Sequence, residues 1–244
     1  MFNFFRKKGE AELLPLPYTT DLHCHIIPGV DDGSRDLEMS LFLVGKMKEW
    51  GITSIIATPH RTDETFENTP DTISAPFHAL KQAIEERGLG IELTHSFEYR
   101  MDEGFIRLKE EGKLIPLKNN YILVENSFMQ PLWNLDELIF DLKLKGFKPI
   151  LAHPERYSYY FGNKKRYTEI HDAECDFQIN ILSLAGTYGK DVQNAAMWML
   201  EQGYVDFIGT DLHHPAHAKA ISEFLRSKQY KKLRPKLNVK NDWI

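Results

Sequence analysis

The sequence predicts an α/β fold in which seven parallel strands form a closed or nearly closed barrel covered by helices. One observation is that apolar, β-rich runs recur along the chain, and a second is that stretches with helical periodicity lie between most of them. A third is that no internal repeat, linker or low-complexity segment divides the 244 residues. Strands that alternate with helices pair in parallel and have both sheet faces covered. Seven such strands suit a barrel better than an open sheet, although their spacing alone does not distinguish the two.

The predicted elements follow one another in a regular order. The strands are the runs TTDLHCHII, ITSIIATPH, IELTHSFEY, NYILVENS, FKPILAHPE, DFQINIL and DFIGTDLH. The first helix is predicted in DLEMSLFLVGKMKEWG, which places Leu37, Leu41, Val44 and Met47 on one side and ends at Gly51. Two later helices are predicted in NLDELIFDLKLKG, after an asparagine cap, and in GKDVQNAAMWMLEQG, and each ends at a glycine.

Composition and charge exclude several classes of protein. A formal charge of −5 argues against a general nucleic-acid binder, and no apolar run is long enough to span a membrane. The two cysteines provide no disulfide framework, so we expect a cytoplasmic location.

The chain is predicted to begin with a tail, residues 1–18, ahead of a single domain over residues 19–244. The tail starts MFNFFRKKGE, with aromatic residues before basic ones, which is the reverse of a secretory signal. It is either a frayed terminus or a weak contact with a membrane surface through Phe2, Phe4, Phe5 and the basic residues that follow them. Contact with a membrane is therefore expected to be peripheral at most.

Polar residues are concentrated where the predicted strands end. Six of the seven runs close with a histidine or a carboxylate, and one more carboxylate follows the first run in its loop. In a barrel of parallel strands all carboxyl ends lie at one mouth, so residues far apart in sequence converge there. The nine groups are His23, His25, Asp32, His60, Glu98, Glu125, His153, Asp211 and His213.

These nine groups predict a metal centre that binds an anion. His23 and His25 share a strand face, and Cys24 lies on the other face, where it is expected to pack in the hydrophobic core. Five imidazoles and four carboxylates, without sulfur, suit two or three divalent ions, and manganese, iron, zinc and magnesium all accept such ligands. The positive charge of three divalent ions would exceed the negative charge of the four carboxylates, and Arg156 adds a further positive charge. Phosphate is the anion that this centre is expected to bind, because centres with several metals favour in-line attack at phosphorus.

The ordered set of motifs resembles a known family. DLHCH with DDG, ATPH, EY, VENS, LAHPERY and GTDLHH, which together span residues 20–214, look like the motifs of the polymerase and histidinol phosphatase (PHP) superfamily. More narrowly, they resemble the bacterial manganese-dependent protein-tyrosine phosphatases that act on capsule and exopolysaccharide autokinases. The resemblance implies a distorted (β/α)7 TIM-like barrel with a three-metal centre, most often occupied by manganese.

The resemblance also implies a role for each residue. One metal would be held by His23, His25, Glu98 and Asp211. Glu98 would bridge to a second metal, held also by Glu125 and His153, and a third would be held by Asp32, His60 and His213. Arg156 matches the arginine that contacts phosphate in the family. Arg156, Glu98 and Asp211 are the residues expected to act in catalysis. Arg100 and the asparagine of VENS depart from the family pattern, and neither is expected to touch a ligand.

Further contacts with the substrate are predicted at the rim of the mouth. Arg61 and His217 are candidates to reach a phosphate from there. The loop of cysteine-dependent tyrosine phosphatases needs an arginine six residues after a cysteine, and neither Cys24 nor Cys175 has one. A hydroxide bridged by metals is therefore expected to replace the thiolate nucleophile.

Three functions are consistent with these residues. The first is hydrolysis of phosphotyrosine in the tail of a membrane-associated bacterial tyrosine kinase that controls capsule or exopolysaccharide synthesis. The second keeps the same centre but acts on a small phosphomonoester such as histidinol phosphate. The third is a metal-stabilised regulator that binds the kinase without catalysis, and the complete ligand set argues against it.

Overall fold

The computed structural model describes residues 11–244, so the aromatic and basic residues of the predicted membrane contact lie outside the described part. The strands are β1 Thr20–Asp21, β2 Ser54–Ala57, β3 His60–Thr62, β4 Phe66–Glu67, β5 Glu92–His95, β6 Glu98–Arg100, β7 Tyr121–Glu125, β8 Lys148–Ala152, β9 Asp176–Asn180 and β10 Phe207–Gly209. The helices are α1 Leu37–Glu49, α2 Pro70–Glu86, α3 Glu103–Glu110, α4 Leu135–Leu144, α5 Lys164–Asp172, α6 Ile181–Ala185, α7 Lys190–Gln202, α8 Pro215–Leu225 and α9 Lys228–Leu233. Each of the seven predicted strand runs contains at least one strand.

The strands form a mixed α/β architecture with two sheets. A curled seven-stranded sheet has the order β10-β9-β8-β7-β6-β3-β4, and a three-stranded sheet has the order β1-β2-β5. All pairings are parallel except that of β3 with β4. Two predicted strands are each divided between the sheets, β2 from β3 and β5 from β6. The first interruption contains Pro59, which has no backbone N–H to donate to a ladder.

Backbone hydrogen bonds join the first run to both sheets beyond the end of β1. The Asp211 N–H donates to the His23 carbonyl at 2.8 Å, and the His25 N–H donates to the Leu212 carbonyl at 3.1 Å. On the other side, the Thr58 N–H donates to the Cys24 carbonyl at 2.9 Å. The run that carries His23 and His25 therefore lies between the last strand and the second.

Helix ends follow the predicted signals, with one difference. Asp36 caps the start of α1, because its side chain accepts from the Met39 N–H at 2.9 Å, and Gly51 beyond the end of this helix has φ +95°. α7 ends at Gly203 with φ +75°. Asn134 does precede α4, but its side chain makes no capping hydrogen bond. That helix is held instead by its buried face, which packs on β8.

Alternate strand residues divide the core into two layers. One face of the strands packs against the helices, and the other forms a small inner cluster. On β7, for example, Ile122 and Val124 belong to the helix-facing layer, whereas Leu123 belongs to the inner cluster. Glu125 follows Leu123 at the same spacing, so the inward face changes from apolar to ionisable at the carboxyl end of the strand.

Candidate metal centre

The structure brings all nine predicted groups into one cluster at the carboxyl ends of the strands, which is largely buried except for the Asp32 side chain. Four of them enclose a common point. His23 Nε2 lies 3.3 Å from Glu98 Oε2 and 3.5 Å from Asp211 Oδ1. His25 Nε2 lies 3.4 Å from both of these oxygens and 3.3 Å from His23 Nε2. Donor atoms of a tetrahedral site with metal–ligand bonds near 2.05 Å lie roughly 3.3 Å apart, so these four side chains have the spacing of a ligand cage.

Glu98 directs its two oxygens to different neighbours. Oε2 lies 3.0 Å from His60 Nδ1, and Oε1 lies 2.9 Å from His153 Nε2. Glu125 approaches the same space, with Oε1 3.6 Å from His60 Nδ1 and Oε2 3.9 Å from His153 Nε2. One carboxylate therefore faces two adjacent groups of candidate ligands.

A third group lies at the outer side of the cluster. Asp32 Oδ1 is 3.5 Å from His60 Nε2 and 3.6 Å from His213 Nε2. The ring of His213 stacks on that of His25 at 3.9 Å. His60 therefore presents Nε2 to this group and Nδ1 to the carboxylates of Glu98 and Glu125, a double position that motif spacing did not predict.

Buried atoms in this cluster lack the partners that buried polar atoms normally have. His60 Nδ1, Glu98 Oε2 and Glu125 Oε2 are inaccessible to solvent and make no hydrogen bond within the described chain. Each is aimed at the space between the candidate ligands. Imidazole nitrogens and carboxylate oxygens are the donors that Mn²⁺, Fe²⁺ and Zn²⁺ accept, so the residues present fit a group of divalent ions.

The electrostatics of the cluster separate the histidines into two kinds. Burial opposes the charging of His23, but Glu98 and Asp211 outweigh it and raise its pKa to about 9. Burial lowers the pKa of His153 to about 4, and burial beside His25 does the same for His213. These two imidazoles are neutral at pH 7, which is the form that binds a metal.

The carboxylates of the cluster are affected in opposite directions. Burial and the charge of Glu98 raise the pKa of Glu125 to about 7. For Glu98 itself, burial is outweighed by His23 and His60, which hold its pKa well below the usual value. Opposed pKa shifts within one cleft are typical of functional sites.

Several candidate ligands are held in place by residues that the strand-end pattern does not predict. Asp31 Oδ2 lies 2.7 Å from His25 Nδ1 and accepts the His60 N–H at 3.0 Å. Gln178 Oε1 lies 2.6 Å from His23 Nδ1, and Asn180 Nδ2 donates to Asp211 Oδ2 at 2.6 Å. Such partners fix the orientation of metal-binding side chains. The signal in the sequence was the inward alternation of Gln178 and Asn180 on the one strand that lacks a terminal ligand.

Arg156 is held by an ion pair and two aromatic rings. Its Nη1 donates to Asp211 Oδ2 at 3.0 Å, and its guanidinium carbon lies 4.8 Å from the Phe128 ring centroid and 4.4 Å from that of Tyr188. The side chain is about a quarter exposed, so part of the guanidinium faces the cleft. The Tyr188 hydroxyl is buried and has no hydrogen-bond partner among the described residues.

Two ligand candidates have an unusual backbone. His153 has φ +35° and Asp211 has φ +48°, in the left-handed region that residues other than glycine seldom adopt. Strained conformations of this kind cost about 1–3 kcal/mol each and are concentrated at functional sites. Both side chains reach the cluster from strand ends through this conformation.

Above the candidate ligands lies a central cleft of about 300 Å³. His217, predicted to contact the substrate, lines it, with its ring 5.7 Å from that of His213. Arg61 does not line it: this residue is only 8% exposed, and its nearest carboxylate is that of Asp63 at 3.6 Å. The lining residues are Asp32, His60, Glu125, Phe128, His153, Arg156, Tyr188, Asp211, His213, His214 and His217.

Two residues that depart from the family pattern were expected to touch no ligand, and the structure contradicts this expectation for one of them. Arg100 was expected to touch none, but its Nε donates to Glu125 Oε1 at 3.0 Å. The reason is that β6 and β7 pair in parallel with Arg100 opposite Glu125. Asn126 follows Glu125 and is buried, and its N–H donates to the Tyr157 hydroxyl rather than to a ligand.

A separate group of His171, Asp176 and Asp206 also has the spacing of a metal site. The ammonium group of Lys240 lies 2.7 Å from Asp206 Oδ1 and 3.3 Å from the oxygens of Asp176, so a cation already occupies this position. It is an ion-pair network at the opposite end of the strands.

Comparison with known proteins assigns these features to a family. A family model described as capsular polysaccharide synthesis, CpsB/CapC, matches residues 19–241. The tyrosine-protein phosphatase CpsB of Streptococcus agalactiae is 33% identical over 202 residues, 80% of this chain and 82% of that protein. The tyrosine-protein phosphatase YwqE of Bacillus subtilis is 29% identical over 195 residues, 80% of this chain and 77% of that protein.

A solved structure has the same architecture. This structure is one of those solved for YwqE from Bacillus subtilis and CpsB from Streptococcus pneumoniae, two proteins that are described as unique metal-dependent tyrosine phosphatases. The two chains superimpose with a TM-score of 0.76 at 26% identity, over 89% of this chain and 92% of the other. Within residues 11–244, no helix is both long and apolar enough to cross a membrane.

Proposed function

Because the chain belongs to the CpsB/CapC family of capsular polysaccharide synthesis, we propose that it is a metal-dependent protein-tyrosine phosphatase. The observation that carries this proposal is the cluster of nine imidazoles and carboxylates, whose unpartnered buried atoms face a common space beside Arg156. The chemistry of that donor set and the names of the relatives support the same activity.

The chain would hold two or three divalent ions, with manganese as the preferred ion. His23, His25, Glu98 and Asp211 would hold the first, Glu98 with Glu125 and His153 the second, and Asp32, His60 and His213 the third. When bound, the ions would supply Lewis acidity toward the phosphoryl oxygens and a hydrolytic nucleophile at neutral pH.

The protein residues would bind and orient the phosphoryl group. The guanidinium of Arg156 is held in position by Asp211, Phe128 and Tyr188, so its free edge is preorganised for phosphate oxygens. Cys24 and Cys175 are both buried, and burial raises the pKa of each thiol, so neither has the character of a nucleophile.

A phosphotyrosine side chain suits the cleft better than an alkyl phosphate. The phenol leaving group has a pKa of about 10, so it departs with less protonation than an alkyl alcohol needs. Phe128 at the edge of the cleft offers a ring for contact with the substrate. We further propose that the substrate is the phosphotyrosine tail of a membrane-associated bacterial tyrosine kinase and that the reaction takes place in the cytoplasm.

We also propose that the two sheets act as one distorted seven-stranded barrel. The bonds of the His23–His25 segment to Asp211 and Leu212 on one side and to Thr58 on the other support it. Closure of this kind would place all nine candidate ligands at one mouth.

The test is a comparison of three substrates with the metal-loaded protein. A phosphotyrosine peptide should be hydrolysed faster than a phosphoserine peptide or histidinol phosphate, chelator should abolish the activity, and Mn²⁺ should restore it. Glu98→Gln should lose activity by about 10²-fold or more and bind fewer ions, whereas Glu92→Gln, exposed at the other end of the same strand run, should do neither. Faster turnover of histidinol phosphate would identify a small-molecule phosphatase, and no turnover with all ions bound would identify a non-catalytic regulator.

A further inference from the structure

Beside the central cleft lies a second depression of about 410 Å³, here called the side groove. Three segments form it: residues 62–64 after β3, residues 100–103 between β6 and α3, and residues 127–133 between β7 and α4. The cleft is a compact site for a phosphorylated side chain, whereas the side groove is larger and holds none of the candidate metal ligands.

The side groove is continuous with the central cleft. Arg100 lines the groove and donates to Glu125, which lines the cleft. Ser127 and Phe128 are consecutive, and the first lines the groove whereas the second lines the cleft. A polypeptide with its phosphotyrosine in the cleft would therefore have its neighbouring residues at the groove.

Large apolar side chains are exposed on the loop that forms one wall of the groove. Trp133 lines the groove and is 88% exposed, whereas Met129, which is 89% exposed, and Phe128 lie beside it on the same loop between β7 and α4. These are three of the eight large hydrophobic side chains that are exposed in residues 11–244, and they fall within six consecutive positions. An exposed apolar group of this size, with a polar rim, marks an interaction site.

The opposite wall of the groove is negatively charged. Four carboxylates line it, and Arg100 is the single basic residue among its lining residues. The charge of Arg100 is already paired with Glu125. Asp63 has an ion pair with Arg107 at 3.1 Å, so the remaining charge is carried by Glu64, Asp102 and Glu103. A partner segment with lysine or arginine side chains would complement this wall.

We propose that the side groove binds the polypeptide segment next to the phosphotyrosine and selects segments that carry basic residues. The proposal rests on the proposed phosphatase function. Trp133 would pack against the segment, and Glu64 and Glu103 would attract its cationic side chains. The groove would thus distinguish a protein substrate from a free phosphomonoester, which can occupy the cleft alone.

The experiment compares phosphotyrosine peptides of equal length that have two lysines or two glutamates beside the phosphotyrosine, with p-nitrophenyl phosphate as the small substrate. The wild-type protein should hydrolyse the lysine peptide with kcat/KM about tenfold higher than the glutamate peptide, mainly through KM. The double variant Glu64→Lys, Glu103→Lys should reverse this order. Both residues are exposed, so the fold should persist.

The role of the apolar wall is tested separately. Trp133→Ala should lower kcat/KM for the lysine peptide several-fold relative to kcat/KM for p-nitrophenyl phosphate. Trp243→Ala removes an exposed tryptophan outside the groove and should leave this ratio unchanged.

The outcomes separate this inference from the proposed function. Equal hydrolysis of both peptides by the wild-type protein would contradict the proposed role of the side groove in substrate selection. So would kcat/KM ratios that neither Trp133→Ala nor the charge reversal changes. Failure to hydrolyse any of the three substrates would contradict the phosphatase function itself, and the proposed role of the groove, which rests on that function, would fall with it.

Discussion

At the scale of the residue, the position of a histidine or carboxylate at the end of a strand run identified the donor set. Residue type and strand-end position are local properties, so the nine groups could be predicted without coordinates. Asp31 and Arg100 could not, because their contacts depend on which residue faces them across a loop or a neighbouring strand. Arg61 was predicted at the rim because it directly follows a strand-end histidine, His60, but it lies buried near Asp63 instead.

Arg156→Lys tests whether the arginine serves the phosphoryl group or only the structure. Lysine keeps the positive charge near Asp211 but lacks the planar fork that matches phosphate oxygens and stacks on Phe128 and Tyr188. We expect kcat/KM to fall by roughly 10²-fold or more with the metal content unchanged. Steady-state kinetics and elemental analysis of the same sample measure both quantities.

The matched control is Arg226→Lys, on a side chain that donates to the Ser222 carbonyl at the end of α8. It should change neither quantity. Loss of bound metal together with activity in Arg156→Lys would assign Arg156 a structural role in holding Asp211.

At the scale of the element, hydrophobic periodicity predicted which segments are strands and which are helices. It did not predict that two strands are interrupted, because a break such as that at Pro59 shows only when neighbouring strands pair. Nor did it predict how closely the loop after the first run packs on that run. There, a Cβ atom added to Gly33 would lie 2.2 Å from the His25 carbonyl oxygen.

Gly33→Ala should therefore displace the loop that carries Asp31 and Asp32. Overpacking of this kind costs about 1–3 kcal/mol, and the shift would remove Asp31 from His25. We expect a lower melting temperature and fewer bound ions per chain, measured by thermal unfolding and elemental analysis.

Gly45→Ala supplies the comparison within the next element. It lies inside α1, and a Cβ atom there has no neighbour within 4 Å. Alanine should raise the free energy of unfolding by up to about 1 kcal/mol without changing the metal content. A Gly33→Ala protein with normal stability and normal metal content would show that the loop can accommodate the side chain.

At the scale of the whole molecule, the two ends of the strands have different tasks. The carboxyl ends hold the candidate metal centre, whereas the amino ends join the chain terminus to the sheet through Asp206. Its Oδ2 accepts the Phe177 N–H at 2.9 Å and lies 3.0 Å from His171 Nε2, and its Oδ1 lies 2.7 Å from Lys240 Nζ. This network could not be predicted from the sequence, since its members are separated by up to 69 residues and share no motif.

Asp206→Asn should destabilise the protein at neutral pH and much less in acid. Burial opposes ionisation of Asp206, but the hydrogen bonds from His171 and Lys240 prevail and lower its pKa. A carboxyl with a lowered pKa in the folded state contributes stability above its unfolded pKa of about 3.8, and this contribution is lost as the pH falls through the folded value.

The difference in unfolding free energy between the wild-type protein and Asp206→Asn should be about 2 kcal/mol at pH 7 and should shrink below pH 4. Urea unfolding at a series of pH values measures it. Asp172→Asn, an exposed aspartate on α5, should show no comparable difference at any pH. A difference that stays constant from pH 7 to pH 3 would contradict the role of the ionised carboxylate.

The left-handed backbone at His153 and Asp211 places this protein under two conflicting selection pressures. Glycine would adopt either conformation without strain, but it would remove the partner of Glu98 at position 153 or of Arg156 and Asn180 at position 211, and those groups would be left unpaired in the interior. Selection for heat resistance alone would therefore retain both side chains together with their strained backbone, because the strain relieved by glycine is smaller than the cost of the buried groups left without a partner.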